Sequence, residues 1–221
     1  MPMMVMATPT TTLLIADESN QRVIEVDPMT HNIVWQYGQT GISGTGTDQL
    51  YQPEEAVRLT NGNTLIVDRA NSRVIEVTSA KDIVWQYQPG GNFTPRDVRK
   101  LANGNVLITN RYTYQVLEVT PIYPTGGTVV WQCGAGTNIS LMWPNEAEKR
   151  PGTPTDYYLI ADEGNHRVIE VQAQGTSGGT VVWQYGQTGI LGSGTNQLTQ
   201  PVDAMRLNCG TILIVDSGNK R

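Results

Sequence analysis

The stretch Thr64-Leu65-Ile66-Val67-Asp68-Arg69-Ala70-Asn71-Ser72-Arg73-Val74-Ile75-Glu76-Val77 decides the fold of this chain. A short run rich in β-branched residues closes on an aspartate, a polar turn follows, and Val-Ile-Glu-Val makes a second short run. Such runs, bounded by turn residues, read as two consecutive antiparallel strands. The same text recurs at 13–26 and 158–171, in a more divergent form at 106–119, and in part at 212–221. The closing aspartate is Asp17, Asp68, Asp162 and Asp216, with Asn110 in the third copy, so successive copies lie 51, 42, 52 and 54 residues apart.

Working outward, each copy is followed by a Val-Trp-Gln-Tyr marker built on Trp35, Trp85, Trp131 and Trp183, with Cys133 in place of one tyrosine. Each is preceded by a proline and a short strand, starting at Pro53, Pro95, Pro144 and Pro201, and 2–6 fits the same slot at the N-terminus. Asn61-Gly62 and Asn103-Gly104 predict two-residue hairpins with positive φ at both central positions. The unit is therefore strand A, tight turn, strand B, polar turn, strand C, polar turn, strand D. Four antiparallel strands repeated at this period make an all-β chain, a β-propeller of four-stranded blades. A sandwich of hairpins would not require identical units in fixed order. The expected blades are 2–52, 53–94, 95–143 and 144–200, with strands A and B of a fifth at 201–221. Because 2–17 already supplies strands A and B of the first blade, the N-terminus does not donate the fifth blade's strands C and D. The expectation is a segment of a six-bladed ring, at about 45–50 residues per blade, or a ring completed head to tail by identical subunits.

Composition agrees with many short strands: 221 residues hold 23 Gly and 12 Pro, a single Phe (Phe93), and 16% charged residues. The formal net charge of −5 argues against a phosphate-backbone partner, so no nucleic acid is expected. No apolar run approaches the roughly 18 residues of a membrane span, and the opening Met-Pro-Met-Met-Val-Met lacks the basic leader of a signal peptide. Cys133 and Cys209 fall on different slots of the repeat and are expected to stay unpaired. Asn92-Phe93-Thr94 and Asn138-Ile139-Ser140 are glycosylation sequons that matter only in an exported protein. An extracellular or cell-surface setting is preferred over a cytoplasmic one.

Asp162-Glu163-Gly164-Asn165-His166-Arg167-Val168-Ile169 and the Gly-rich loop 186–198 leading to Pro201 resemble NHL repeats and their inter-blade loop. Arg58–Ile66 and Ile83–Tyr87 are similar to repeats of arylsulfotransferase-like, quinoprotein-like bacterial or archaeal propellers. Together these cover nearly the whole chain. The resemblance implies the propeller, and it is weak for function because that fold hosts hydrolases, lyases and inert binding platforms.

Four carboxylates occupy the second position after the blade proline: Glu55, Asp97, Glu146 and Asp203. Strand A is innermost in a propeller, so they should line the channel as an acidic ring able to hold a divalent cation. No other cofactor is expected. A base follows three residues later, at Arg58, Lys100, Lys149 and Arg206, and this favours contacts between adjacent blades as the use of these charges. The Asp-x-x-Asn-x-Arg turns read as scaffold, through Asx bonds and a carboxylate–guanidinium bridge. The third unit replaces that motif with Asn110-Arg111-Tyr112-Thr113-Tyr114, which makes Arg111, Tyr112 and Tyr114 candidate partner contacts. The Gly-rich loops 38–46 and 186–194 lack the lysine and the following helix of a phosphate loop.

Arylsulfotransferase-like enzymes need a central histidine, whereas His31 falls in a C–D turn and His166 in a B–C turn. No nucleophile stands beside a base. The sequence thus favours a non-enzymatic binding or assembly module with a protein partner, including a second copy of itself. A metal-assisted enzyme of arylsulfotransferase-like or lactonase-like type is the alternative, and an RNA-binding NHL module is disfavoured by the acidic balance.

Overall fold

The computed structural model describes residues 12–150 and 155–221. The first blade contributes β1 (Leu13–Asp17), β2 (Arg22–Val26) and β3 (Ile33–Tyr37). The strand expected at 2–6 lies outside the described residues. The second blade is β4 (Pro53–Arg58), β5 (Thr64–Asp68), β6 (Arg73–Val77) and β7 (Ile83–Tyr87). The third is β8 (Pro95–Lys100), β9 (Val106–Asn110), β10 (Gln115–Pro121) and β11 (Gly127–Gly134). The fourth is β12 (Pro144–Arg150), β13 (Tyr157–Asp162), β14 (Arg167–Ala173) and β15 (Gly179–Tyr185), and β16 (Pro201–Arg206) pairs with β17 (Ile212–Asp216). Each sheet is antiparallel, with strands adjacent in the order they occur in the chain. This is the β-propeller that the repeat predicts.

Side-chain alternation places apolar residues on both faces of each blade, so the cores lie between sheets instead of at one centre. Along β5, Leu65 and Val67 pack toward the third blade with Phe93, Val98 and Ile108, while Ile66 packs toward the first with Val23 and Tyr37. The fourth blade repeats the scheme: Tyr158 and Ile160 face the third blade, Leu159 and Ala161 face β16. The strand D tryptophans tie these layers. Trp85 is fully buried and its indole donates to Gly126 O at 2.8 Å, in the C–D turn of the next blade. Trp131 does the same to Gly178 O at 3.0 Å, and stacks on Tyr158 with ring centroids 3.7 Å apart. Trp35 reaches Ser79 O at 3.1 Å from a half-buried position. Cys133 is buried and Cys209 exposed, and both are free thiols, as their slots predict.

The A–B turns depart from the two-residue hairpin expected of Asn-Gly. Gly62 is left-handed at φ 87°, but Asn61 is not among the positive-φ residues. Leu59 N donates to Asn63 O, so the loop holds three residues, Thr60, Asn61 and Gly62. Asn61 Oδ1 accepts Asn63 N at 3.0 Å, and only the glycine needs the left-handed region. Asn103-Gly104 repeats the arrangement, with Gly104 at φ 85°.

The aspartate that closes strand B grips the loop entering its own blade. Asp68 Oδ1 accepts Tyr51 N at 2.7 Å, while Oδ2 accepts Asn71 at 2.8 Å and Arg73 Nε at 2.6 Å. Arg73 and Asn71 then donate to the loop carbonyls of Thr45, Gln49 and Gly44. Asp162 and Asp216 make the same bonds, to Met142 N and Thr199 N. Asn110 keeps the first of them, accepting Thr94 N at 2.9 Å. The Gly-rich loops therefore turn carbonyl oxygens toward guanidinium groups, the opposite polarity to a phosphate cradle.

Replacing Asp68 by alanine strands the buried Arg73 guanidinium and the Tyr51 amide, and is expected to destabilise by about 3–5 kcal/mol. Asp68→Asn keeps the amide acceptor, as Asn110 does, and should lose clearly less. Urea midpoints of the two variants test this, and equal losses would show that the amide bond contributes nothing.

Candidate functional site

Strands A of successive blades touch one another, β4 against β8, β8 against β12, and β12 against β16, so they form the inner wall of the ring. The four carboxylates that the sequence places there do converge. Glu55, Asp97, Glu146 and Asp203 line one cavity of about 190 Å³, together with Arg99. Asp97 is only 8% exposed. Its Oδ2 accepts Ala147 N at 3.5 Å, and Glu146 Oε2 accepts Ala204 N at 3.0 Å, so each carboxylate clips strand A of the next blade. Arg99 stands between them, with Nε 3.7 Å from Asp97 Oδ2 and Nη2 paired with Glu146.

Burial pushes the Asp97 carboxyl up to about 7, opposed by Arg99 and reinforced by Glu55. Burial likewise raises Glu55, with Arg99 opposing and Asp203 adding to the shift. Among the described residues no three His, Cys, Asp or Glu side chains are grouped to hold a metal ion. The geometry accounts for this, since a guanidinium occupies the space between two of the acids and backbone amides take up their outer oxygens.

The bases that follow these acids do serve contacts between blades, but with other partners. Arg58 pairs with Glu25 at 2.7 Å, Lys100 with Glu76 at 3.6 Å, Lys149 with Glu118 at 2.9 Å, and Arg206 with Glu170 at 2.7 Å. In every case the partner is the strand C glutamate of the preceding blade. The signal was present in the sequence: a glutamate recurs inside each otherwise apolar Val-Ile-Glu-Val.

One end of the channel opens into a cleft of about 270 Å³ that shares Glu54, Arg96, Asn145 and Val202 with the acidic cavity. A chain of charges crosses four blades here. Arg69 bonds Glu18 at 2.7 Å and Glu54 at 2.6 Å, and Glu54 also pairs with Arg96. Arg96 Nε donates to Asn145 Oδ1 at 3.3 Å, and Asn145 donates to Glu163 Oε2 at 2.6 Å. Arg111 closes the chain with both Nη atoms on Glu163. Glu18, Arg69, Arg111 and Glu163 all occupy the position just after strand B, and Glu54, Arg96 and Asn145 the position just after the blade proline. The position after the proline changes in every blade, and the position after strand B is glutamate in the first and fourth blades and arginine in the second and third, while the scaffold around them repeats. Sequence reasoning singled out only Arg111, because it searched for residues shared by the repeats.

Of the candidate partner contacts, Arg111 and Tyr112 line this cleft, and Tyr112 stands 59% exposed at its lip. Tyr114 is not among the lining residues; it takes the left-handed position before β10, at φ 57°. Asn92 is exposed. Asn138 spends its amide on the next blade, donating to Gly179 O at 2.7 Å and accepting Gly179 N at 3.1 Å. His31 is exposed in its turn, and His166 Nδ1 accepts Gln200 N at 3.2 Å; neither lines the channel.

No family model and no curated protein matches this sequence. Solved structures do match. A streptogramin B lyase superposes with a TM-score of 0.62 at 11% identity, over 95% of this chain and 60% of that one. A candidate 6-phosphogluconolactonase from Bacteroides fragilis gives 0.64 at 11% identity, over 96% and 62%. A protein of unknown function from Bacteroides caccae gives 0.60 at 18% identity, over 92% and 64%. The likeness is one of fold, and the chain spans about three fifths of the length of these proteins.

The raised Asp97 has a definite pH consequence. Its folded pKa lies above the unfolded value of 3.8, so the stability contributed by its proton is complete below about 4 and is lost as pH rises through 7. Asp97→Asn should therefore gain on the wild type between pH 5 and pH 8, by on the order of 3 kcal/mol. Thermal melts of both proteins across that range test it, and a difference that does not change with pH would place the Asp97 pKa at its ordinary value.

Proposed function

We propose that this chain is a β-propeller binding module whose recognition face is the charged cleft at the channel mouth. The observation that carries this reading is the contrast between constant and variable positions. The strand C glutamates and the strand D tryptophans repeat from blade to blade and serve packing, whereas the position just after the blade proline, which lines the cleft, is different each time: Glu54, Arg96, Asn145 and Val202. A propeller offers rigid loops and strand ends around a channel, and specific contacts are concentrated on such surfaces.

The proposed location is tested by screening the chain for thermal stabilisation by small charged and neutral compounds, beside an Arg111→Gln/Tyr112→Ser variant. Ligands of the cleft should raise the melting temperature of the wild type by several degrees and that of the variant by much less. Stabilisation that is identical in both proteins places binding elsewhere.

A second reading is favoured by one feature, the buried Asp97 carboxyl poised near neutral pH beside Arg99, in a fold whose solved examples include lyases. In its metal-assisted form, calcium or manganese should raise the melting temperature by several degrees, and Asp97→Asn with Glu146→Gln should abolish the shift. Unchanged melting with either ion counts against the metal-assisted enzyme and leaves the binding module.

A further inference from the structure

The cleft pairs its charges unevenly. Its lining holds three guanidinium groups, Arg69, Arg96 and Arg111, against two carboxylates, Glu54 and Glu163. Arg111 is satisfied, with both Nη atoms on Glu163. Arg69 ion-pairs with Glu54 through a buried Nε that makes no hydrogen bond, and places Nη2 on Gln52 and on Glu18, residues outside the lining. Arg96 shares Glu54 with Arg69 through Nη1 and gives Nε to Asn145, a neutral acceptor. Its Nη2 has no hydrogen-bond partner among the described residues. Arg96, at the junction of cleft and channel, thus shares its carboxylate with Arg69 and keeps one donor edge free, and its planar donor fork suits an oxyanion. Burial and repulsion from Arg111 lower the Arg96 pKa, against the opposing pull of Glu163, Glu18 and Asp97.

Size and polarity narrow the class further. At about 270 Å³ the cleft lies at the lower limit for small-molecule sites. Pro95, Val202 and the exposed Tyr112 ring add apolar surface to its lining. A dianion would meet Glu54 and Glu163 with only one free guanidinium edge to hold it. We propose that the cleft binds a small organic monocarboxylate, its carboxylate on Arg96 and its apolar body against Tyr112 and Val202. This rests on the cleft being the recognition face, and goes beyond it by assigning the ligand class and the anchoring residue.

Titration calorimetry on the 221-residue chain with benzoate, benzamide and inorganic phosphate tests the assignment. Benzoate should bind, and more weakly as salt is raised, while the neutral isostere and phosphate should not. Arg96→Gln should weaken benzoate at least about tenfold, the loss of one charge-assisted contact, and Arg96→Lys should restore part of it. Should Arg96→Gln not fold by circular dichroism, the lysine variant and the benzoate–benzamide comparison decide. Equal binding of benzamide, or preferential binding of phosphate, overturns the monocarboxylate and leaves the cleft as the binding face if Tyr112→Ser still weakens that binding. Benzoate binding indifferent to Arg96→Gln, Arg96→Lys and Tyr112→Ser overturns ligand class and location together. No binding of benzoate overturns the ligand class alone.

Discussion

From the second blade to β17, strand B ends on a side chain whose oxygen accepts a backbone amide from the loop that brings the chain into the same blade. Asp68, Asp162 and Asp216 do this as carboxylates, and Asn110 as a carboxamide. The inter-blade loops carry many backbone polar groups and little regular structure, so their amides and carbonyls need partners from elsewhere. The latch supplies them. It fixes where the blade proline falls, hence where strand A begins, hence which side chains face the channel. Burial raises the Asp68 and Asp162 carboxyls in spite of their hydrogen bonds. Such a buried pair adds little net stability over an apolar substitute, while losing one partner is severe. Its contribution here is to specify loop position, and the cleft geometry inherits that position.

The same chain contains two classes of charge. Strand C glutamates meet the bases of the next blade's strand A, and the latch aspartates meet their own arginines; these repeat because every blade interface presents the same geometry. At the channel mouth the blades approach an axis, and each contributes one or two side chains to a shared space. Identical residues there would set like charges side by side. The observed order, Glu18, Arg69, Glu54, Arg96, Asn145, Glu163, Arg111, alternates sign except at the neutral Asn145. The departure at Asn145 gives Arg96 a neutral partner on one side, and that is where the candidate anion position lies.

The acidic ring lies one layer deeper and behaves differently from a set of surface acids. Asp97 and Glu146 bond to the following blade through backbone amides, and Arg99 reaches both. A carboxyl held near neutrality in a cavity contiguous with a cationic cleft gives the channel a gradient of charge along its axis. A ligand carboxylate anchored at Arg96 stops short of the acids, which repel it from below.

Period and alternation were legible from the sequence because they are properties of a backbone ladder. A strand shows opposite faces every second residue, and a blade recurs whenever the text does. Those facts gave the propeller, the inter-blade tryptophans and the unpaired cysteines, and they put Glu55, Asp97, Glu146 and Asp203 on strand A. They also gave the scaffold role of Asp-x-x-Asn-x-Arg, though not its grip on the incoming loop. The three-residue A–B turns were misread, because Asn-Gly alone does not reveal whether Thr60 belongs to the strand or the loop. What only the tertiary structure decided was which blade each side chain addresses. Arg58, Lys100, Lys149 and Arg206 lie three residues from an acid in sequence, yet reach a glutamate on the neighbouring sheet. The cleft residues, far apart along the chain, become neighbours only around the axis. The sequence by itself determined the unit that repeats, since that unit is set by local pairing. The site formed where the units differ required the packing of successive blades about an axis, because that packing is what brings residues about one blade apart in sequence within hydrogen-bonding distance.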